Sequence, residues 1–242
     1  NDGKPTHVTL VGKPIGQFFG YILEGVYTAA DMADPSVAKY PTAFEGAVKY
    51  KDVNGDGVIT DVLDYTNIGN PYPDFTYGMT NTFQYGHFDL NVIVNGQYGG
   101  HVMNGLRQTV DNLQGFLNVS KEWVNRWRSE AQPGDGIHSG VIHATPSVGH
   151  RVSTLWVENA TYLRIANITL GYYLPAAVAK ATGFVKDVRV YLTVQNLATF
   201  TSYTGGNPEG QSESETDVLT PGFDMTSYPL SRTTSIGINM SF

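Results

Sequence analysis

The sequence predicts an all-β fold, an antiparallel segment of a transmembrane β-barrel, and three observations lead to this class. Apolar and polar side chains alternate along several segments, as in strands with one apolar and one polar face. The final strand, Ser235–Phe242, places Ile236, Ile238 and Met240 on the same face as its last aromatic residue, which is typical of a strand facing lipid. Long and short connections also alternate between the strands, as they do in outer-membrane barrels.

The composition excludes several classes of function. The chain of 242 residues carries a formal net charge of -7, which argues against a nucleic-acid partner because such a partner requires a basic face. It contains no cysteine, so disulfides and thiolate metal sites are excluded. We find no convergent set of acid, base and nucleophile, and the sequence therefore predicts that the protein is not an enzyme.

The first part of the sequence contains one weakly predicted strand and one clearly predicted β-hairpin. Gly16–Thr28 is the weak candidate, because its aromatic residues fall on both alternating positions. Asp74–Tyr98 reads as two strands joined by a tight turn at Gly86. The apolar face of this hairpin is formed by Phe75, Tyr77, Met79, Phe83, Tyr85, Phe88, Leu90, Val92 and Val94.

Three further strands follow, for a total of about six, fewer than the eight or so that close the smallest barrels. Lys186–Leu197 alternates cleanly, and Ser231–Phe242 is the last strand. Thr161–Tyr173 changes its alternation midway, and a β-bulge near Ala166 and Asn167 would place all its apolar residues on one face. The chain is therefore interpreted as part of a larger barrel.

The connections between these strands hold around half of the sequence. The long ones are Ala29–Pro73, Gly99–Asn159 and Thr201–Leu230, and the short ones are the Gly86 turn and Leu174–Val185. Within the second long connection, Asn104–Glu130 has helical spacing of leucine and valine residues, with a short second helix predicted to begin at Ser120. Loops of this length are uncommon unless they are functional.

One connection contains a candidate cation site. Asp52, Asn54, Asp56 and the carbonyl of Val58 match the first ligand positions of an EF-hand loop, with Gly57 at the sharp turn. The bidentate acid expected at position 12 is replaced by Leu63, so Asp61 or Asp64 would have to complete the ligand shell. The pattern predicts bound Ca²⁺, with Mg²⁺ as the less favoured ion. The alternative is a hydrogen-bonded turn that holds no metal.

The order of several motifs resembles the C-terminal part of SusC/RagA-type TonB-dependent outer-membrane transporters. These motifs are Gly16–Tyr27, Lys49–Gly57, Ile68–Gly78, Ala160–Tyr172 and Val190–Leu197, followed by the last strand ending in Phe242. The resemblance covers nearly the whole chain, so residues 1–242 are interpreted as one barrel region without the plug domain and the preceding strands.

The resemblance implies a barrel of roughly 22 strands in the bacterial outer membrane, in contact with lipid. It also implies a SusD-like surface lipoprotein as partner, energy supplied by TonB through upstream regions, and import of glycan or peptide nutrients. Polar residues would then face the lumen and line the substrate path; these are Asp89, Asn91, Asn95, Arg189, Thr193 and Gln195. For Arg164 and Arg189, pairing with an acid such as Asp89 or Asp187 is favoured over contact with cargo.

A second interpretation remains open at this stage. A secreted β-sandwich stapled by calcium, binding carbohydrate or a protein partner, would show the same alternation of apolar and polar residues. The two interpretations differ in what covers the apolar faces, which is lipid in a barrel and a second sheet in a sandwich.

Overall fold

The computed structural model describes residues 5–61, 63–111, 118–140, 151–175, 185–209, 220–225 and 227–242. The chain divides into two compact units. The first, here called the loop unit, comprises Asn1–Tyr72, Gly100–Asn159 and Glu209–Ser227. The second, here called the sheet unit, comprises Pro73–Gly99, Ala160–Pro208 and Tyr228–Phe242.

The described residues are mostly strands. In chain order these are β1 (His7–Val8), β2 (Gln17–Gly20), β3 (Leu23–Val26), β4 (Val48–Tyr50), β5 (Thr66–Gly69), β6 (Phe75–Tyr85), β7 (Phe88–Tyr98), β8 (His101–Asn104), β9 (Val157–Asn159), β10 (Tyr162–Tyr173), β11 (Asp187–Thr201), β12 (Phe223–Asp224) and β13 (Thr233–Ser241). The helices are α1 (Ala29–Ala33), α2 (Gly105–Val110) and a 3-10 helix over Lys121–Asn125. In the described part of the chain, every helix is too short or too polar to cross a membrane.

The sheet unit contains one antiparallel sheet of five strands in the order β13-β11-β10-β7-β6. The hairpin turn lies at Gly86, where the backbone adopts a positive φ of 57°, so this prediction is confirmed. The short connection predicted between β10 and β11 falls largely on residues 176–184, which lie outside the described residues.

The predicted bulge in β10 is confirmed. Pairing with β7 passes from Ile165–Val94 directly to Asn167–Ile93, which leaves Ala166 as the extra residue. Because one added residue reverses the alternation, Leu163 and Ile165 share a face with the apolar residues that follow the bulge. The strand therefore keeps one apolar face along its length.

The interpretation of residues 16–28 as one barrel strand is wrong. They form β2 and β3, which belong to two different small sheets of the loop unit. Neighbouring aromatic residues explain the difference, because Phe18 is buried with Met103 while Phe19 packs against a separate tyrosine-rich cluster. A segment whose two faces are both buried in a protein core cannot present one face to lipid.

The described residues of the first long connection contribute to the packed core of the loop unit. Its larger cluster contains Tyr21, Tyr27, Tyr40, Tyr50 and Tyr65 among its buried residues. The rings of Tyr21 and Tyr50 stack with centroids 4.4 Å apart. Burial in this cluster raises the pKa of Tyr27 to about 12.

The predicted helical region begins where the sequence indicates. Asn104 caps α2, its side chain accepting a hydrogen bond from the main-chain N–H of Arg107. The second predicted helix is the short 3-10 helix that follows Ser120. Residues 112–117, which include part of the predicted leucine spacing, lie outside the described residues.

Candidate functional site

The polar face of the five-stranded sheet brings together the predicted lumen residues. In an antiparallel sheet, directly paired residues lie on the same face. The pairings Asp89–Gly171–Tyr191, Asn91–Thr169–Thr193 and Asn95–Arg164 run across β7, β10 and β11. The six predicted residues, Asp89, Asn91, Asn95, Arg189, Thr193 and Gln195, therefore share one face; whether cargo passes along it stays a prediction.

The strongest electrostatic contact on this face joins Asp89 and Arg189. Arg189 Nε donates to Asp89 Oδ1 at 2.8 Å and Nη2 donates to Oδ2 at 2.5 Å, a bidentate pair. The two residues lie on β7 and β11, and the pair crosses Gly171 of the intervening strand. A Cβ atom at Gly171 would lie 2.2 Å from Asp89 Oδ1 and 2.5 Å from Arg189 Nε. Glycine at this position therefore makes the ion pair possible.

Arg164 is held differently from Arg189. Its Nε donates to Thr199 Oγ1 and its Nη2 donates to Asn207 Oδ1, each at 3.2 Å. Its guanidinium also lies 4.7 Å from the centroid of the Tyr162 ring. The pairing with an acid that was expected for Arg189 is thus present, between this residue and Asp89.

Neutral hydrogen bonds cross the middle of the polar face. Asn91 Nδ2 donates to Thr82 Oγ1 at 2.9 Å, and the hydroxyl oxygens of Thr169 and Thr193 lie 2.9 Å apart. This row offers hydroxyl and amide groups that can exchange hydrogen bonds with water or with the hydroxyl groups of a sugar.

The opposite face of the sheet is apolar and exposed. One row across all five strands consists of Phe83, Leu90, Leu170, Leu192 and Ile236. Phe83 and Ile236 are 57% and 78% exposed. A soluble protein rarely leaves so many large apolar side chains together in water, and such a surface indicates contact with another protein or with lipid.

The Asp52 loop is closed by its own main-chain hydrogen bonds. Asp52 Oδ1 accepts from Gly55 N and Oδ2 from Gly57 N, and these bonds, that from Gly57 above all, lower the pKa of Asp52. The fully buried Asp64 accepts from Val53 N at 2.8 Å and from Thr60 N at 2.7 Å. Asp64 therefore fastens both ends of the loop.

The loop also contains the hydrogen bonds between side chains and main chain that are expected of a hydrogen-bonded turn. Asn54 Nδ2 donates to Asp56 Oδ2, and Asp56 Oδ1 accepts from Val58 N, so these two side chains also bond within the loop. Among the described residues, no three Asp, Glu, His or Cys side chains are grouped so that they could hold a metal ion. Calcium binding by Asp52, Asn54, Asp56, Val58 and Asp64 stays a prediction.

Sequence reasoning missed the glycines that support the sheet. Besides Gly171, Gly96 lies under the ring of Tyr77, whose hydroxyl donates to the carbonyl oxygen of Tyr162 at 3.0 Å. Gly237 lies under the ring of Tyr191 in the same way. A glycine inside a strand often marks a close approach of another group, and this signal was available in the sequence.

Comparison with known proteins connects this geometry to a family. The chain is 31% identical to TonB-dependent receptor P3 of Formosa agariphila over 243 residues, which covers 99% of the chain and 23% of the relative. TonB-dependent receptor P26 of the same organism is 30% identical over 236 residues. TonB-dependent receptor SusC of Bacteroides thetaiotaomicron is 28% identical over 193 residues.

The chain is homologous to part of the TonB-dependent receptors.

It spans less than a quarter of the length of these relatives, 23% of P3 and 17% of SusC. No family model matches the chain. Solved structures support the same fold: the RagAB peptide importer in its open-open state superposes with a TM-score of 0.70 at 22% identity, over 99% of this chain and 24% of that one. A second structure of the RagAB peptide transporter gives a TM-score of 0.71 at 22% identity, over 98% of this chain and 25% of that one.

The homology confirms three predictions made from the sequence. The resemblance to SusC/RagA-type TonB-dependent transporters is confirmed by the named relatives. TonB-dependent receptors are outer-membrane proteins of Gram-negative bacteria, which confirms the predicted location. They are receptors and transporters and not enzymes, in agreement with the absence of a predicted catalytic set.

Proposed function

We propose that this chain forms part of the barrel of an outer-membrane transporter that imports glycan or peptide nutrients together with a SusD-like surface lipoprotein. Its homology to receptors that include SusC supports the transporter role, and its fold similarity to a peptide importer supports the barrel. TonB would supply the energy through regions of the protein outside this chain.

The observation that carries the proposal is the contrast between the two faces of the sheet. Phe83 and Ile236 lie in a continuous row of exposed apolar side chains, which suits contact with lipid. The other face carries the ion pair of Asp89 with Arg189 and the row of hydroxyl and amide groups, which suits a water-filled path. A transmembrane barrel needs this division into a lipid face and a lumen face.

The edges of the sheet favour a larger closed barrel. In the described residues, β6 pairs only with β7, and β13 pairs only with β11, so each has one edge whose main-chain groups lack a strand partner. Unpaired main-chain groups are costly in lipid, and closure removes both edges. A barrel of roughly 22 strands would provide the neighbours of β6 and β13.

A secreted β-sandwich is the less favoured alternative. A sandwich would bury the apolar face of this sheet against a second sheet. The exposure of Phe83 and Ile236 is contrary to that arrangement.

The proposal is tested in the bacterium that carries the full-length gene. Deletion should abolish growth on one polysaccharide or protein hydrolysate as sole nutrient, and the wild-type gene should restore it. The tagged full-length receptor should fractionate with the outer membrane and co-purify with a SusD-like lipoprotein. Unchanged growth on every nutrient of the panel, or a receptor found in the soluble fraction, would contradict the proposal.

Ca²⁺ binding by the Asp52 loop is a separate proposal, which the sequence pattern supports. Isothermal titration of the full-length receptor with CaCl₂ should then give one binding event that Asp56→Ala removes. Equal heats for the wild type and the variant would refute calcium binding and leave the hydrogen-bonded turn as the function of the loop. Titration with MgCl₂ separates the two ions.

A further inference from the structure

The loop that follows Asp52 contains one of three Asn–Gly pairs in the chain. These pairs are Asn54–Gly55, Asn95–Gly96 and Asn104–Gly105. An asparagine followed by glycine is especially prone to spontaneous loss of its side-chain amide. The reason is that a residue without Cβ leaves room for its main-chain nitrogen to attack the preceding side chain. In a folded protein, the reaction depends on how accessible each pair is and how readily the chain around it opens.

The first of these pairs is open to solvent. Asn54 and Gly55 are both exposed, and a Cβ atom placed on Gly55 would have no neighbour within 4 Å. Gly55 also adopts a positive φ of 76°. The side-chain carbonyl carbon of Asn54 can therefore be approached by a nucleophile, and water can reach the product.

The other two pairs are enclosed. Gly96 is buried in β7, between β6 and β10 and under the ring of Tyr77. Asn104 is 3% exposed, and its side chain accepts from Arg107 N and donates to Glu158. Attack at either pair requires the sheet or the helix cap to open locally, and such openings are rarer than the opening of an exposed loop.

Within the exposed loop, Asp52 holds the atom that would attack. Gly55 N donates to Asp52 Oδ1 at 2.6 Å, and Gly57 N donates to Oδ2 of the same carboxylate at 2.8 Å. Attack requires the Gly55 nitrogen to lose its proton, and a neighbouring carboxylate opposes the negative charge that this loss creates. The amide under attack is held as well, because Asn54 Nδ2 donates to Asp56 Oδ2 at 2.7 Å. The closed loop therefore slows the reaction.

We propose that Asn54 is a deamidation site of this protein and that Asp52 controls its rate. The Gly55 nitrogen passes its proton to the solvent and forms a bond to Cγ of Asn54, while Nδ2 takes up a proton and leaves as ammonia. The product is a succinimide ring. Water then adds to one of the two ring carbonyl carbons and breaks its bond to nitrogen, which gives aspartate or isoaspartate at position 54. The reaction needs no reactant other than water.

The two products have different effects on the loop. Aspartate keeps the path of the main chain, so Gly55 N and Gly57 N can still bond to Asp52. Isoaspartate leads the main chain through Cβ and Cγ of residue 54 and so adds one atom before Gly55. The two N–H groups then no longer reach one carboxylate together, and the loop opens to protease. Asn54→Asp, which reproduces the aspartate product, should keep the loop as resistant to protease as the wild type.

The test uses the full-length receptor, purified in detergent and incubated at mildly alkaline pH. Peptide mass spectrometry of samples taken over time measures the deamidated fraction at each of the three pairs. In the folded receptor, Asn54 should react at least about tenfold faster than Asn95 and Asn104, because an exposed loop opens more often than a sheet or a helix cap. In guanidinium chloride only the local sequence matters, so all three should react at similar rates.

Two variants of Asp52 test its protecting role. Asp52→Ala removes both the charge and the acceptor of Gly55 N, whereas Asp52→Asn removes only the charge. The rate at Asn54 should rise about two- to tenfold in Asp52→Ala and by a smaller factor in Asp52→Asn. Asp34→Ala is the matched control, because it removes an exposed acid from another part of the loop unit, and it should leave the rate unchanged. Unchanged rates at the two enclosed pairs show that each variant stays folded.

Three results would overturn the inference. The first is a rate at Asn54 equal to that at an enclosed pair in the folded receptor. The second is no deamidation of Asn54 in the folded receptor while the unfolded receptor reacts. The third is an Asp52→Ala rate equal to that of Asp34→Ala. None of these measurements involves transport, so their failure leaves the proposed function intact.

Discussion

Replacing Gly171 by alanine tests the role of the ion pair across the sheet. The added Cβ would lie 2.2 Å from Asp89 Oδ1 and 2.5 Å from Arg189 Nε, so both side chains must move. The atoms in conflict are side-chain ends and not backbone. The change is therefore expected to act first on the ion pair.

The size of the effect follows from what the pair contributes. The side chains of Asp89 and Arg189 are 14% and 18% exposed, so solvent weakens but does not abolish their attraction. Losing a bidentate pair in this partly buried setting costs about 1–3 kcal/mol. Alanine in place of glycine inside a strand returns about 0.5–1 kcal/mol. The free energy of unfolding of Gly171→Ala should therefore fall by about 0–2.5 kcal/mol.

Equilibrium unfolding of the full-length receptor in lipid vesicles, followed by tryptophan fluorescence in guanidinium chloride, measures this difference. Gly78→Ala is the matched control, because a Cβ at Gly78 has its nearest neighbour, Val94 O, at 3.9 Å. That variant should be as stable as the wild type or slightly more stable. In an Asp89→Ala background, Gly171→Ala should no longer reduce stability, because the pair is already absent.

Two results would refute this reasoning. If Gly171→Ala and Gly78→Ala have the same stability, the ion pair does not depend on the missing side chain at position 171. If the loss at Gly171 is much larger than about 3 kcal/mol and persists in the Asp89→Ala background, a backbone clash and not the ion pair is responsible.

Three further predictions follow from the two units. Val190→Arg, on the apolar face, should reduce assembly in the outer membrane at a cost of about 2–4 kcal/mol, whereas Thr193→Arg on the polar face should be tolerated, as measured by receptor levels in outer-membrane fractions. Lys49 donates to Asp31 and is the main reason that the pKa of Asp31 falls to about 2, so Lys49→Met should lower the thermal stability at pH 7 and leave it unchanged near pH 2. Asp64→Ala should destabilise the loop unit by about 1–3 kcal/mol with or without Ca²⁺, as read from limited proteolysis, because two partly buried main-chain N–H groups lose their acceptor.

The sign of the pH effect follows from the lowered pKa of Asp31. A carboxylate whose folded-state pKa lies below its unfolded value contributes stability above pH 4 or so, and this contribution disappears as the pH falls through about 2. Lys51→Met, next to strand β4, is the control and should show no such pH dependence. A constant difference between Lys49→Met and the wild type from pH 7 to pH 2 would contradict the assignment.

The other two predictions have controls in the chain. Val92→Arg, on the apolar face of β7, should fail in the same way as Val190→Arg. Full assembly of both variants would mean that this face does not touch lipid. Asp56→Ala should leave the loop resistant to protease in the absence of Ca²⁺, and equal sensitivity of Asp56→Ala and Asp64→Ala would contradict the structural role of Asp64.

Alternation of side chains alone determined much of the sheet unit. Because successive residues of a strand point to opposite faces, the apolar sets of β6, β7 and β11 followed directly from the order of residues. The reversal of alternation in β10 could only be reconciled by one extra residue, and Ala166 is that residue. The assignment of Asp89 and Arg189 to a common face rests on the same local rule.

The sequence was less informative where both faces of a segment are buried. Residues 16–28 have aromatic residues at both alternating positions, but the sequence did not indicate that this pattern reflects burial of both faces in protein. Phe18 and Phe19 belong to different clusters, and only the packing of the loop unit shows this. The Asp52 pattern similarly predicted a cation site, whereas the hydrogen bonds of Asp64 depend on how the chain returns after Thr60.

The sequence by itself thus determined which side chains share a face, because that depends only on residues next to one another in a strand. The tertiary structure decided which side chains touch across strands. Asp89 meets Arg189 over Gly171 because the register of three strands brings together residues that are distant in the chain. The register of the strands depends on the turns, the bulges and the burial of side chains across the whole sheet. It therefore cannot be derived from the residue pattern of any single strand.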